Sequence, residues 1–442
     1  MANPKPGDFV EVMTADETIK GTLLQSPELE KDVVIVKLAS GYNIGINKGK
    51  VRKIALSQQP RQPQKEEKET TTAAAKKEKT QEKLPKISIL HTGGTIASKV
   101  DYRTGSVYSS FKPEDLLGMF PELAGIADFD SVFISNMWSD DLRFTHFGLI
   151  AKAIEKEVKK GVDGIIIGMG TDNLAVASAA MAFIVESTPV PVIFVGAQRS
   201  SDRGSSDAAV NLTCAATFIT KSDFSGVAIC MHENMSDNDC LILPACKTQK
   251  LHTSRRDTFR PVNTTAIARV NYDGRNVTMM RSDYQKKDST RKLVLKPKME
   301  EKVGLLKIHI NMFPEQFSFF KGYKGLIIEG TGLGHTPGQV PNELAAIHKK
   351  IYPAIKSVVD SGCVVVMTSQ SLYGRVQMHV YDKGTDLTKL GVIPGEDMLP
   401  NTAFVKLSWL LGNYKKNEVN ELIAKNIRGE ITERTEPDAF LT

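Results

Sequence analysis

Ile87-Ser88-Ile89-Leu90-His91-Thr92-Gly93-Gly94-Thr95 and Gly164-Ile165-Ile166-Ile167-Gly168-Met169-Gly170-Thr171-Asp172 share one pattern. Each is a short apolar run, read as a buried strand, that ends in glycine and threonine. Glycine has no Cβ, so the backbone there can approach a ligand closely. Threonine supplies a hydroxyl, which is a candidate nucleophile. Asp172 adds a carboxylate beside the second hydroxyl. Two such endings point to one site at the C-terminal edge of a parallel sheet, where α/β proteins bind ligands.

Outward from these runs, further strand-like stretches occur at 131–134, 192–195, 226–230, 325–329 and 363–368. Helical patterns lie between them. Over 147–160, Leu149, Ile150, Ala153, Ile154 and Val158 recur at helical spacing. Strands alternating with helices predict an α/β fold, a parallel sheet with helices on both faces. Residues 301–309 read as a connector to a second α/β half that starts near Tyr323.

The chain in front of this body is different. Val10, Val12, Ile19, Leu23, Leu24, a run at 33–36, and Tyr42, Ile44 and Ile46 read as short strands, with Asp16-Glu17, Pro27-Glu28 and Ser40-Gly41 as turns. A core this small suits a small all-β barrel. From Ser57 to Lys83 there is no large apolar residue, only Gln, Pro, Thr, Ala and mixed charge. Such a stretch cannot offset its ordering entropy and reads as a linker. The expected division is therefore a β module over 1–56, a linker over 57–83, and two α/β units over 84–300 and 301–442.

Composition narrows the class. The chain has 442 residues, 41% hydrophobic and 24% charged, as in globular proteins. A net charge of +6 over this length suits an indirect or shared role with nucleic acid better than a dedicated basic surface. Five cysteines without a Cys-x-x-Cys pair argue against a disulfide framework or zinc knuckle, and for reduced buried thiols. The opening Met1-Ala2-Asn3-Pro4-Lys5-Pro6-Gly7-Asp8 has no apolar signal core, and no run of about 18 apolar residues occurs. A cytoplasmic location follows as an expectation. The eight histidines are scattered, so no metal site is expected.

Several residues are open to two readings. Thr95 and Thr171 are either nucleophiles in need of an activating base or turn threonines bonded to their own backbone. Asp172 is either a site carboxylate or a helix N-cap. Lys250 is an ordinary surface lysine by spacing, and a base only where burial or another cation releases its proton. Tyr102 and Tyr108 flank Gly105, where a lid or a plain surface loop is equally in keeping with the residues. Gly330-Thr331-Gly332-Leu333-Gly334-His335 follows a strand as a dinucleotide loop would, but His335 stands where the third glycine belongs.

Thr92-Gly93-Gly94-Thr95-Ile96-Ala97 resembles the first signature of the bacterial-type L-asparaginases, and Gly170-Thr171-Asp172 resembles the second. Val195-Gly196-Ala197-Gln198-Arg199-Ser200 and Asn211-Leu212 resemble the strand and helix that follow. Three further features resemble the GatD family, the asparaginase-like component of archaeal glutamyl-tRNA(Gln) amidotransferase. These are Lys250-Leu251-His252-Thr253-Ser254-Arg255-Arg256-Asp257-Thr258-Phe259-Arg260, Gly391-Val392-Ile393-Pro394-Gly395-Glu396-Asp397-Met398-Leu399-Pro400, and an N-terminal module similar to a Tudor-like barrel. The resemblance implies an asparaginase-like two-part body behind that barrel. It implies hydrolysis of glutamine to supply ammonia to a partner protein, GatE. The partner would use ATP and magnesium to convert Glu-tRNA(Gln) to Gln-tRNA(Gln), with no cofactor in this chain. It further implies a homodimer through the asparaginase-like body within an α2β2 heterotetramer, with tRNA held mostly by the partner.

By the same resemblance Thr95 takes the place of the nucleophile, and Thr171, Asp172 and Lys250 that of the second catalytic group. Gly94, Ser135, Asp172 and either Tyr102 or Tyr108 take substrate-binding places. One departure stands out: Ile134 occupies a position where asparaginases carry a polar residue for the substrate's α-carboxylate, which leaves Ser135 or backbone amides for that task. Two other readings are a free-standing cytosolic L-asparaginase and a non-catalytic scaffold. Dependence of amide hydrolysis on a partner and charged tRNA separates the first from the amidotransferase; any hydrolysis at all excludes the second.

Overall fold

The computed structural model describes residues 4–5, 8–24, 32–38, 43–57, 84–93, 99–101, 106–108, 120, 123, 125–199 and 206–440. The expected linker lies outside the described residues except for Ser57. The N-terminal strands β1 (Phe9–Met13), β2 (Thr18–Leu24), β3 (Val33–Lys37), β4 (Asn43–Asn47) and β5 (Lys53–Leu56) form an antiparallel sheet in the order β4-β3-β2-β1-β5. Alternation along β1 sends Val10 and Val12 inward, where they join Ile19, Val34, Val36 and Ile46 in a core separate from the rest of the molecule.

β6 (Lys86–His91) is followed by a hairpin of β7 (Lys99–Asp101) and β8 (Ser106–Tyr108). Next come β9 (Asp128–Phe133), β10 (Gly164–Gly168), β11 (Val185–Ser187), β12 (Pro191–Val195), β13 (Gly226–His232) and β14 (Asp239–Pro244). β15 (Thr248–Lys250) and β16 (Phe259–Pro261) pair as a ribbon of their own. β17 (Ala268–Asn271) and β18 (Asn276–Met279) return to the main sheet, and β19 (Val294–Leu295) pairs with β11. The main sheet has the order β18-β17-β14-β13-β12-β10-β6-β9. From β9 to β13 all neighbours are parallel. Their central strands are buried on both faces, which is why they read as continuous apolar runs. At the other end β14, β17 and β18 are antiparallel, so the sheet is mixed rather than parallel throughout.

The second sheet contains β20 (Val303–Lys307), β21 (Gly325–Gly330), β22 (Val364–Ser369) and β23 (Ile393–Pro394), all parallel and in that order. Residues 301–309 are therefore not a connector. Val303-Gly304-Leu305-Leu306-Lys307 pairs along its whole length with β21 and opens the second unit as an edge strand.

Helix Leu174–Ile184 explains how the two units meet. Its sequence LAVASAAMAFI is apolar on every side, and nearly all of it is buried. Such a helix needs protein all round it. It lies between the main sheet and helix Pro400–Asn413, and Phe183 stacks on Trp409 at 5.5 Å between ring centroids. One apolar core thus runs from Ile165 and Phe194 of the first unit to Ile327 and Val366 of the second. Fully burying side chains of this kind contributes about 1.5–3 kcal/mol each. All five cysteines are buried free thiols.

Candidate active site at the C-terminal edge of the main sheet

β6 and β10 are neighbours, with His91 opposite Gly168. Just beyond, the Thr92 N–H and hydroxyl both donate to the Gly168 carbonyl, at 3.1 and 3.2 Å. This ties the two glycine–threonine endings together. Gly93 has φ +109°, and a Cβ there would lie 2.5 Å from the backbone N and O of Met137. Only glycine allows that crossing. The loop after β9 is held by Met137 N–H on the Thr92 carbonyl at 3.2 Å. Ser135 donates its hydroxyl to the same carbonyl at 3.1 Å, so it supports the backbone of the first motif. Ile134 packs against the main core, which accounts for an apolar residue at that position. Burial pushes the His91 imidazole down to about 4, which keeps the ring at the end of β6 neutral near pH 7.

The second motif is fastened from another direction. Ser139, itself buried, accepts the Asn173 N–H at 3.2 Å, and Asn173 Nδ2 donates to the Ser139 carbonyl at 3.1 Å. Asn173, not Asp172, takes the N-cap position of helix Leu174–Ile184. This frees Asp172 from capping, and its carboxylate meets Lys250. Lys250 Nζ lies 3.0 Å from Thr171 Oγ1 and 2.7 Å from Asp172 Oδ1. The Lys250 side chain is 13% exposed and that of Asp172 63%, so the amine is sheltered while the carboxylate faces outward. The reading of Lys250 as a surface lysine, which spacing favoured, does not hold. Leu399, Asn401 and Thr402 of the second unit line a small cleft beside Asp172 and Lys250.

The structure therefore brings Thr171, Asp172 and Lys250 together, with Ser135 near the base of the first motif. Gly94, Thr95 and Tyr102 lie outside the described residues. Tyr108 ends β8 opposite Lys99. Two polar residues hold the loop after β12: Asn211, already carried by the family resemblance, and Asp207, which no motif singled out. Asp207, fully buried, accepts the N–H groups of Gln198 and Arg199 at 3.0 Å each and fixes the loop after β12. Asn211 Nδ2 donates to the Gly196 carbonyl at 3.0 Å in the same loop, and Gly196 lies against Thr171 and Leu174. Asp207 and Asn211 stand four residues apart, Asp207 as the N-cap of helix Ala208–Lys221 and Asn211 in its first turn, and that spacing is the signal legible in the sequence. The glycine-rich run at 330–338 does not form a dinucleotide loop: Thr331 turns back on His335 in an isolated bridge.

The N-terminal asparaginase family matches residues 86–284, the glutaminase/asparaginase C-terminal domain 302–422, and the GatD N-terminal domain 4–56. The L-asparaginase of Thermococcus kodakarensis is 27% identical with a TM-score of 0.69, covering 79% of this chain and 100% of that one. A probable cytoplasmic L-asparaginase from Campylobacter jejuni is 25% identical with a TM-score of 0.62, covering 77% of this chain and 100% of that one. These neighbours account for the body and leave the N-terminal sheet over. Full-length likeness lies elsewhere. The GatD component of the glutamyl-tRNA(Gln) amidotransferase of Pyrococcus furiosus is 43% identical over 98% of this chain and 97% of its own length. The same component from Methanococcus maripaludis is 42% identical over 97% and 98%. With the asparaginase-like body, the GatD N-terminal module and this identity over nearly its whole length, the chain belongs to the GatD family of glutamyl-tRNA(Gln) amidotransferases.

Proposed function

We propose that this chain is the glutaminase component of a tRNA-dependent amidotransferase. It hydrolyses glutamine and passes ammonia to a GatE partner, which activates the glutamyl group of Glu-tRNA(Gln) with ATP and magnesium and forms Gln-tRNA(Gln). This chain itself carries no cofactor in this reading. The observation that supports the reading most is the Thr171–Lys250–Asp172 cluster at the edge where β6 and β10 end, within a chain that also has the GatD N-terminal module.

The chemistry proceeds through a covalent intermediate. Thr95 attacks the side-chain amide carbon of glutamine. Backbone N–H groups near Gly94 and Thr171 receive the developing oxyanion, an effect worth about 3–4 kcal/mol. Ammonia leaves, and water releases glutamate from the acyl-enzyme. Lys250 and Thr171 handle the proton movements, with Lys250 as the base. Asp172 faces outward and anchors the α-ammonium of glutamine by a charge-assisted hydrogen bond. Backbone amides hold the α-carboxylate, since the Ser135 hydroxyl is given to the Thr92 carbonyl, and Tyr102 or Tyr108 covers the bound substrate.

The assembly we propose is a homodimer through the asparaginase-like body, joined by two copies of GatE in the cytoplasm, with tRNA mostly on the partner. Along the chain the division is a β module to residue 56, a tether to 83, and α/β units meeting near 300. The test is ammonia release from glutamine and from asparagine, by this chain alone and with GatE and Glu-tRNA(Gln). Glutamine hydrolysis that rises with the partner and charged tRNA supports the reading. Hydrolysis of asparagine that ignores both overturns it.

A further inference from the structure

Lys250 completes the site, yet the ribbon that carries it is not part of the main sheet. Among the described residues β15 and β16 pair with each other alone, through Thr248–Pro261, Gln249–Arg260 and Lys250–Phe259. Both ends of the ribbon are instead fastened to the second unit. Just before β15, Lys247 Nζ lies 2.5 Å from Asp397 Oδ2 and 3.0 Å from the Asp397 carbonyl, and both side chains are fully buried. The Cys246 carbonyl accepts the Thr402 hydroxyl at 3.0 Å. Just after β16, Asn263 exchanges two bonds with the Gly374 backbone, Nδ2 to carbonyl at 3.1 Å and N–H to Oδ1 at 2.9 Å. Asp397 is held in turn by the Thr432 N–H at 3.0 Å and by the Thr432 hydroxyl.

The bonds of this clamp run between the ribbon and the second unit rather than to Thr171 or Asp172, and its parts lie far apart in the chain. A buried ion pair is weak evidence for stability, because desolvation offsets much of its attraction; its best-attested use is to specify one arrangement. Lys250 follows Lys247 by three residues along β15, and the start of that strand is fixed by the Thr248 hydroxyl on the Pro244 carbonyl at 2.7 Å. A displacement at Lys247 is therefore carried to Lys250.

We propose that Asp397 is a positioning residue. Through Lys247, with Asn263–Gly374 at the other end, it aims Lys250 at Thr171 and Asp172, so the hydrolytic centre of the first unit is assembled by docking of the second. This rests on the glutaminase reading above.

The experiment uses the full chain in complex with GatE and compares wild type with Asp397→Asn and Asn263→Gly. Each change is made alone and in a Lys250→Met background. Asn263 has φ +57°, so glycine keeps the backbone and removes only the two side-chain bonds. A misplacement of about 1 Å can cost about 10²-fold in rate. The expected result is a loss of kcat for glutamine hydrolysis of about 10²-fold for Asp397→Asn and about tenfold for Asn263→Gly, with KM changed less than about threefold. In the Lys250→Met background the further loss is under about twofold, because nothing is left to aim. Formation of Gln-tRNA from free ammonia stays unchanged, and thermal unfolding identifies any variant that fails to fold. If Asp397→Asn does not fold, Asn263→Gly decides alone. A folded variant with wild-type kcat, or an equal fold-loss in both backgrounds, overturns the proposal while leaving the glutaminase reading in place. A wild-type complex that releases no ammonia from glutamine overturns that reading and the proposal with it.

Discussion

Two strand ends in this molecule carry the same Gly-Thr pair and meet different fates. After β10, Gly170-Thr171 presents a hydroxyl to Lys250 Nζ at 3.0 Å. At the end of β21, Gly330-Thr331 closes on itself: the Thr331 N–H donates to the His335 carbonyl at 3.0 Å, and its hydroxyl donates to the same oxygen at 3.4 Å. Both lie at the C-terminal ends of parallel strands, where open α/β folds bind ligands. The difference is what tertiary structure brings to each. A separate ribbon delivers a sheltered amine to the first; the hydroxyl of the second is taken up by its own backbone. A threonine at a strand end is chemistry only when another part of the chain reaches it.

The sharpest way to break this comparison is to remove each hydroxyl. Thr171→Val keeps the branched shape and is expected to abolish glutamine hydrolysis by the complex, as is Thr95→Val. Thr331→Val is expected to stay within about twofold of wild type, since its hydroxyl serves only a local turn. Ammonia-dependent formation of Gln-tRNA should survive in all three, because free ammonia bypasses this component. Full glutamine-dependent activity in Thr171→Val, or loss in Thr331→Val, would reverse the assignment of the two strand ends.

A second measurement asks what Lys250 contributes. Lys250→Met is expected to lower kcat by about 10²–10⁴, the usual range for acid–base assistance. Lys250→Arg keeps the charge near Asp172 but cannot act as a neutral base, so it should fail as well. An Arg variant with near-native kcat would show that a fixed positive charge is all the site needs there.

The smallest effects concern stability and compare the glycines of the two edges. Gly332 has φ +50°, with open space where a Cβ would go, so Gly332→Ala should cost about 1–2 kcal/mol of backbone strain alone. Gly93 has φ +109° and the Met137 backbone 2.5 Å from a Cβ, so Gly93→Ala should add about 1–3 kcal/mol of overpacking to its strain. Urea unfolding of the two variants measures the difference. Equal losses would mean that the crossing of the loops after β6 and β9 is not tight.

Much of the fold is legible because its signals are local. The central strands are short apolar runs, the helix Phe144–Lys159 shows its period within a few turns, and the N-terminal module differs from the body in pattern as well as length. Where local signal is weak the reading fails. Val303–Lys307 is broken by Gly304 and flanked by the charges of Glu300, Glu301 and Lys302, and its pairing with β21 is what makes it a strand. The antiparallel strands β14, β17 and β18 look like any apolar or mixed segment until they find their neighbours.

For the candidate site the division is similar. By itself the sequence determined the two apolar strands that lead into glycine and threonine, since strand length and the conformational freedom of glycine are properties of adjacent residues. It also carried the motifs whose resemblance singled out Thr171, Asp172 and Lys250. Tertiary structure alone decided that Lys250 is a sheltered partner of Thr171 rather than a surface lysine, because 79 residues separate them. It alone decided that Asp172 is released from capping by Asn173, and that Lys247 meets Asp397 across 150 residues. Hydrogen bonds and ion pairs act over a few ångströms in space, and no periodicity or spacing along the chain records which distant residues folding brings that close.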